Sequence, residues 1–245
     1  MTYSSFTLHG PDRPGLWLVT CDHATNSVPP FVGGGTLGLP ASDMNRHIAY
    51  DIGGKGVALA LGEALNAPVI CSNFSRLVID PNRGLDDPTL IMQLYDGTVI
   101  PGNRYLDATD RQTRIDNLYR PYHDALAALA ARPGIAIVSV HSFTPQLNGR
   151  APRPWEVGVL SADDRRFADP LLARLQSALD TPVGDNEPYG GHLPGDAVDQ
   201  HALRYGRPNA LLEVRQDLIT DPAGQEHWAR LIAPHLETAR QDANL

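Results

Sequence analysis

Three apolar runs in this 245-residue chain each close on a side chain that can hold a metal or move a proton. Leu16-Trp17-Leu18-Val19-Thr20-Cys21-Asp22 leads into His23, Ile135-Ala136-Ile137-Val138-Ser139-Val140 into His141, and Ala210-Leu211-Leu212 into Glu213. In an open α/β sheet, ligands sit outside the carboxyl ends of the strands. Three such strands in one sheet deliver two imidazoles and a carboxylate to one crevice. Neutral imidazoles bind a divalent metal such as zinc, and a nearby glutamate can take a proton from water and return it to a leaving amine. The residue types therefore point to a metal-assisted hydrolase.

Each group also has a plainer reading. Within Asp22-His23-Ala24-Thr25-Asn26, a second ligand three residues after His23 could reach the same ion, and Asn26, a weaker ligand than a carboxylate, leaves Asp22 to substitute or support it. The same pentapeptide could form an Asx-type turn. His141 could be a core histidine satisfied by a carbonyl. Ser142 beside it lacks the Gly-x-Ser-x-Gly elbow of a serine nucleophile. Strand alternation puts Glu213 and Arg215 on one face, where they could pair with each other.

The run Arg76-Leu77-Val78-Ile79-Asp80-Pro81-Asn82-Arg83 sets two arginine forks and an asparagine about one strand end. Such forks bind carboxylates in bidentate fashion, which suggests an anionic substrate. A surface network with Asp80, Asp86 and Asp87 is the competing reading. The Gly-rich segment Tyr189-Gly190-Gly191-His192, followed by His201 through Gly206, suits a lid or substrate loop in which His201 and Arg204 could face the substrate.

Elements that could position these groups are legible in the periodicity. Strands are expected at 15–20, 67–72, 76–80, 135–140, 155–160 and 209–214. Helices are expected from Gly54 to Leu65, from Asp110 to Ala131 with a kink at Pro121, after Ser161 as N-cap, and from Asp221-Pro222 onward. The glycines Gly33-Gly34-Gly35 lack the ending of a phosphate loop and read as a surface loop. Alternating strands and helices predict a single α/β domain over 1–245, its mostly parallel or mixed central sheet covered by helices on both faces.

Composition narrows the partners. Hydrophobic residues make up 42% of the chain and charged residues 20%, enough apolar material for a substantial core. The net charge is −8 and Lys55 is the one lysine, so no basic patch favours nucleic acid or a membrane surface. Cys21 and Cys71 lie in or at the end of apolar runs, as reduced buried thiols do. No apolar stretch reaches membrane-spanning length and the N-terminus does not resemble a secretion signal, so a soluble cytoplasmic protein is expected.

Val19 through Pro29, Val140-His141-Ser142-Phe143, and His201 through Ile219 resemble the N-formylglutamate amidohydrolase family, from about residue 15 to 220. The C-terminal block is the most specific part. The resemblance implies hydrolysis of an N-acyl acidic amino acid, in the named reaction N-formylglutamate to formate and glutamate. That family is similar in turn to the zinc carboxypeptidase and aspartoacylase–desuccinylase architecture, a zinc-exopeptidase-like fold. There a His-x-x-Glu motif and a later His bind zinc, a late Glu is the base, and an Asn-Arg pair with a further Arg holds substrate carboxylate. The resemblance thus implies His23 and His141 as metal ligands with Asn26 or Asp22, Glu213 as base, and Arg76, Asn82 and Arg83 at the substrate, with His201 and Arg215 shaping the pocket. Asn26 departs from the wider pattern, which has Glu at that place. A deacylase or carboxypeptidase-like hydrolase of another N-acyl amino acid, and a non-catalytic binder of small anionic metabolites, are the alternative readings.

Overall fold

The computed structural model describes residues 3–191 and 193–244. The strands are β1 (Phe6–His9), β2 (Trp17–Cys21), β3 (Val69–Ser72), β4 (Leu94–Tyr95), β5 (Thr98–Val99), β6 (Ala136–Phe143), β7 (Val157–Leu160), β8 (Gly184–Asp185) and β9 (Asn209–Arg215). The α-helices are α1 (Ala41–Met44), α2 (Gly54–Ala64), α3 (Ala108–Arg114), α4 (Arg120–Ala130), α5 (Ala168–Ala178), α6 (Ala197–His201) and α7 (Pro222–Asp242). Seven strands form one sheet in the order β1-β3-β2-β6-β9-β7-β8, and β4 and β5 form a separate hairpin. The central four, β3, β2, β6 and β9, are mutually parallel, β1 and β7 run against them, and β8 is parallel to β7.

Alternation along the central strands decides which layer each side chain enters. Val19, Cys21, Val138, Val140, Leu212 and Val214 pack with Val57 and Leu61 of α2, Leu171 and Leu175 of α5, and Trp228, Ile232 and Leu236 of α7. Leu18, Ile70, Ile137 and Leu211 point the other way, toward Tyr122 and Leu126 of α4 and Ala197 of α6. The mixed α/β sheet with helices on both faces is therefore as expected. Full burial of one such side chain contributes about 1.5–3 kcal/mol, so a one-residue slip, which exchanges the two faces, is strongly disfavoured. The same register puts His141 and Glu213 on the α4–α6 side of the sheet.

Residues 76–80 are not a strand. Leu77, Val78 and Ile79 are fully buried, but in a third core with Ile48, Phe74, Ile115 and Leu118. The backbone there closes a turn, Val78 N donating to Ser75 O at 2.9 Å, and Asp80 N pairs with Leu90 O at 2.8 Å. An apolar run buried on all sides has the same composition in an irregular loop as in a strand.

The expected helix over 110–131 is three pieces: α3, a π-helical turn at Ile115–Tyr119, and α4. Pro121 sits in the first turn of α4, directly after the π turn, where the missing N–H is tolerated. Ser161 does not cap α5, which starts seven residues later. Asp221 does cap α7, accepting Gly224 N at 2.9 Å, with Pro222 at the first helical position. No helix among the described residues is long and apolar enough to cross a membrane.

Candidate active site

In the parallel ladder of β6 and β9, His141 lies directly opposite Glu213. His23 follows the end of β2 by two residues, on the other side of β6. Asp51 arrives from the short connection between α1 and α2. Gly53, at φ +78°, makes the turn that follows, and a Cβ there would lie 2.2 Å from Ile219 O, so only glycine fits. The Oδ2 atom of Asp51 lies 3.2 Å from His23 Nδ1, 2.8 Å from His141 Nδ1 and 3.3 Å from Ser142 N.

The outer nitrogens of both rings are held by other groups. His23 Nε2 is 2.7 Å from Asp80 Oδ1, and His141 Nε2 is 3.0 Å from Ser139 Oγ and 3.6 Å from Asp22 Oδ2. A carboxylate only accepts, so His23 donates from Nε2 to Asp80 and its Nδ1 is left for the centre. His23, Asp51 and His141 are all buried and offer ligand atoms within 4.8 Å of one another, which suits a divalent cation.

The electrostatics fit a place for positive charge. Burial opposes the charged form of His141, but the Asp22 and Asp51 carboxylates outweigh it and push its pKa up to about 10. Burial likewise raises Asp51, yet the two imidazoles drive its carboxyl far below the usual range. Asp80 is held well below that range by Arg76 and His23 against its burial.

Two ligands expected from the sequence stand elsewhere. Asn26 turns away, its Nδ2 donating to Met44 O at 2.9 Å and Asn45 Oδ1 at 3.0 Å. Asp22 lies behind His141, bonded to the Tyr122 hydroxyl and 3.4 Å from Ser139 Oγ, so it orients the ring rather than joining the cluster. The carboxylate beside the two histidines is Asp51, which no motif in the sequence singles out. Its one local signal is a lone acid inside Ile48-Ala49-Tyr50-Asp51-Ile52, flush against the glycines that open α2.

A cavity of about 100 Å³ opens beside the cluster, and His23, Asp51, His141, Glu213, Arg76, Asn82 and Arg83 all line it. Glu213 is only 6% exposed, and its Oε2 has no hydrogen-bond partner. Burial pushes its carboxyl up to about 8, helped by Asp51 and opposed by His141, Arg76 and Arg153. Arg76 spends its charge on Asp80, at 2.8 Å, and Asp51, at 3.6 Å, and lies over the Tyr95 ring. Arg83 is steered by Thr89 Oγ1 at 3.1 Å and Asn82 O at 2.7 Å, with no carboxylate partner among the described residues.

His201 and Arg215 do not line this cavity. Arg215 pairs with Asp217 at 2.8 Å and donates to Trp155 O at 3.1 Å. His201 is buried behind the Asn82–Arg83 turn, its Nε2 2.8 Å from His123 Nδ1, while His123 Nε2 reaches Pro81 O at 3.0 Å. Burial holds both rings neutral, with pKa values lowered to about 3 for His123 and about 4 for His201. The turn is further tied by Tyr119, whose hydroxyl donates to Arg83 O at 2.8 Å, and by Ala197 N, 3.3 Å from Asn82 Oδ1. Arg204 pairs with Asp199 at 3.1 Å. Tyr189, Gly190 and Gly191 line the cavity, and His192 lies outside the described residues.

A mixed α/β sheet whose strand ends bring His23, His141 and Glu213 beside the buried Asp51 has the groups a hydrolase needs. The model of the family described as N-formylglutamate amidohydrolase matches residues 16–220, and the chain belongs to that family, whose members are hydrolases of an amide bond. It is 27% identical over 215 residues to the N-formylglutamate deformylase of Pseudomonas aeruginosa, covering 78% of this chain and 75% of that enzyme. A crystal structure of a gene product of Agrobacterium tumefaciens is 32% identical, with a TM-score of 0.91 over 99% of this chain and 97% of that one. The N-formylglutamate amidohydrolase of Ralstonia eutropha shares the fold, with a TM-score of 0.68 at 21% identity over 98% of this chain and 100% of that one.

Proposed function

We propose that the chain hydrolyses an N-formyl acidic amino acid, N-formylglutamate first among them, to formate and the free amino acid. One observation carries this reading: the unpartnered Glu213 carboxyl lies across the ladder from His141, in a cavity that also holds His23, Asp51 and Arg83. The deformylase relative in Pseudomonas aeruginosa supports the substrate.

The residues present fit a divalent cation, zinc being the best match to two imidazoles and a carboxylate. His23 and His141, each through Nδ1, and Asp51 through Oδ2 would hold it, with Asp80 and Asp22 fixing the rings from behind. When bound, such a cation supplies Lewis acidity toward the acyl oxygen and lowers the pKa of a water molecule.

The remaining work belongs to side chains. Glu213 takes a proton from water at Oε2 as the water oxygen joins the formyl carbon, then delivers it to the amide nitrogen as the C–N bond breaks. The second proton of the water also ends on the leaving nitrogen, so formate departs as the carboxylate and the amino acid as the ammonium ion. Asn82 and Arg83 bind a substrate carboxylate, the fork giving a charge-assisted pair. Arg76, fixed by Asp80, stabilises negative charge as it grows on the acyl oxygen. Free, buried Cys21 and Cys71 support a reducing, cytoplasmic setting.

The test is elemental analysis of purified protein together with a panel of N-formyl, N-acetyl and N-succinyl amino acids. The reading expects about one equivalent of a divalent metal and release of formate from N-formylglutamate. Activity confined to an acetyl or succinyl amide would overturn the substrate, and full activity in thoroughly chelated protein would overturn the metal.

A further inference from the structure

We propose that Arg153 selects the second carboxylate of the substrate, the one on the amino-acid side chain. The inference rests on the N-formyl amino acid reading given above. An acidic amino acid brings two carboxylates, and the Asn82–Arg83 turn accounts for one.

Arg153 sits between β6 and β7, half-buried. Its guanidinium carbon lies 4.9 Å from the centre of the Tyr189 ring and 5.6 Å from that of Phe143. Nη1 donates to Thr144 O at 3.0 Å and to the Tyr189 hydroxyl at 3.1 Å. Thr144 and Tyr189 both line the cavity, so the guanidinium, though outside the lining itself, is fixed directly behind two of its walls. Two aromatic faces and two hydrogen bonds hold the fork in place before any ligand arrives, which limits the entropy lost on binding.

The charge of Arg153 is unanswered. No carboxylate pairs with it among the described residues, whereas Arg46, Arg165, Arg166 and Arg174 each have one within 3.0 Å. Arg76 is already paired with Asp80 and Asp51. The field of Arg153 reaches into the cavity, weakly opposing the burial that raises Glu213 and adding to the burial that lowers His47. A half-buried cation that meets no internal carboxylate at the edge of a substrate cavity is suited to an anion brought by the substrate. Nε and Nη2 carry the donors left over for it.

The experiment compares N-formyl-L-glutamate with its neutral isostere N-formyl-L-glutamine on wild-type, R153Q and R153K protein loaded with zinc. Binding of L-glutamate and L-glutamine to the same proteins is read by calorimetry. A charge-assisted pair is worth on the order of 10- to 100-fold in affinity, and that is the expected preference of the wild type for the acidic ligand. R153Q should erase the preference by weakening glutamate compounds alone, with R153K falling between. Equal losses for both ligands, or a preference that survives R153Q, overturn the proposal, as does a wild type that binds L-glutamate no better than L-glutamine. A wild type that binds L-glutamate through Arg153 yet cleaves neither amide refutes the hydrolytic reading and leaves the carboxylate assignment standing.

Discussion

Asp80 Oδ1 and His23 Nε2 are 2.7 Å apart, so a buried carboxylate fixes which nitrogen of His23 faces the centre of the site. The same carboxylate accepts Asn82 N at 2.9 Å and binds Arg76 at 2.8 Å. One side chain thereby ties the histidine cluster to the Asn82–Arg83 turn. Replacing Asp80 by Asn should weaken zinc binding about 10- to 100-fold, as loss of a carboxylate behind a ligating histidine does. Competition against a chromophoric chelator measures it, and an unchanged affinity would remove Asp80 from this role.

Asp51 and Asn26 make opposite cases. Asp51→Ala should abolish stoichiometric metal in the purified protein. Asn26→Ala should leave metal content intact and cost about 0.5–1.5 kcal/mol in stability for each hydrogen bond lost. Elemental analysis beside a denaturant titration separates the two, and metal loss in the Asn26 variant would restore the ligand expected from its spacing.

Glu213→Gln should lower kcat on the order of 10²–10⁴-fold with metal content unchanged. The proposed base role requires Glu213 deprotonated, so under it the wild-type rate should rise with pH along an acid limb. Burial sets that limb above the ordinary 4.5, and a bound cation pulls it below the value of about 8 that the metal-free site imposes. A pH–rate profile measures it, and a limb that persists in the Gln variant belongs to another group.

The same burial leaves a mark on stability. A carboxyl with a folded pKa near 8 and an unfolded value near 4.5 is protonated in both states at low pH, and its contribution is lost as pH rises through that window. Metal-free E213Q should therefore gain on the wild type in melting temperature between pH 5 and pH 9. A constant difference across that range would contradict the raised pKa.

His123 is not among the residues lining the cavity, yet it holds Pro81 O beside Asn82 and Arg83. His123→Ala should raise KM several-fold to about 100-fold with less effect on kcat, since misplaced binding groups cost about that much. Steady-state kinetics on N-formylglutamate read this directly, and a loss confined to kcat would point away from the anion turn.

The strand ends of the site are legible in the amino-acid sequence. The runs ending at His23, His141 and Glu213 are apolar, short and β-rich, and burial of both faces of a parallel strand writes that pattern into local sequence. Asp51 leaves no comparable trace, because its partners His23 and His141 lie 28 and 90 residues away and only tertiary packing joins them. The fixed three-residue spacing leads instead to Asn26, which the chain uses to bond the end of α1. Leu77-Val78-Ile79 misleads in the other direction, since composition cannot tell a strand from a loop enclosed by the third core. His201, expected in the pocket, supports it from behind.

The rung shared by His141 and Glu213 separates what can drift from what cannot. Their spacing is set by the hydrogen-bond repeat of a parallel sheet, about 4.8 Å between strands, and no loop takes part in it. Arg83, Arg153 and Tyr189 stand on connections between elements, outside any strand or helix. On the proposed function, exchanging those connections should redirect the choice of amide while the His141–Glu213 rung stays in register, which makes this scaffold a starting point for grafted specificity.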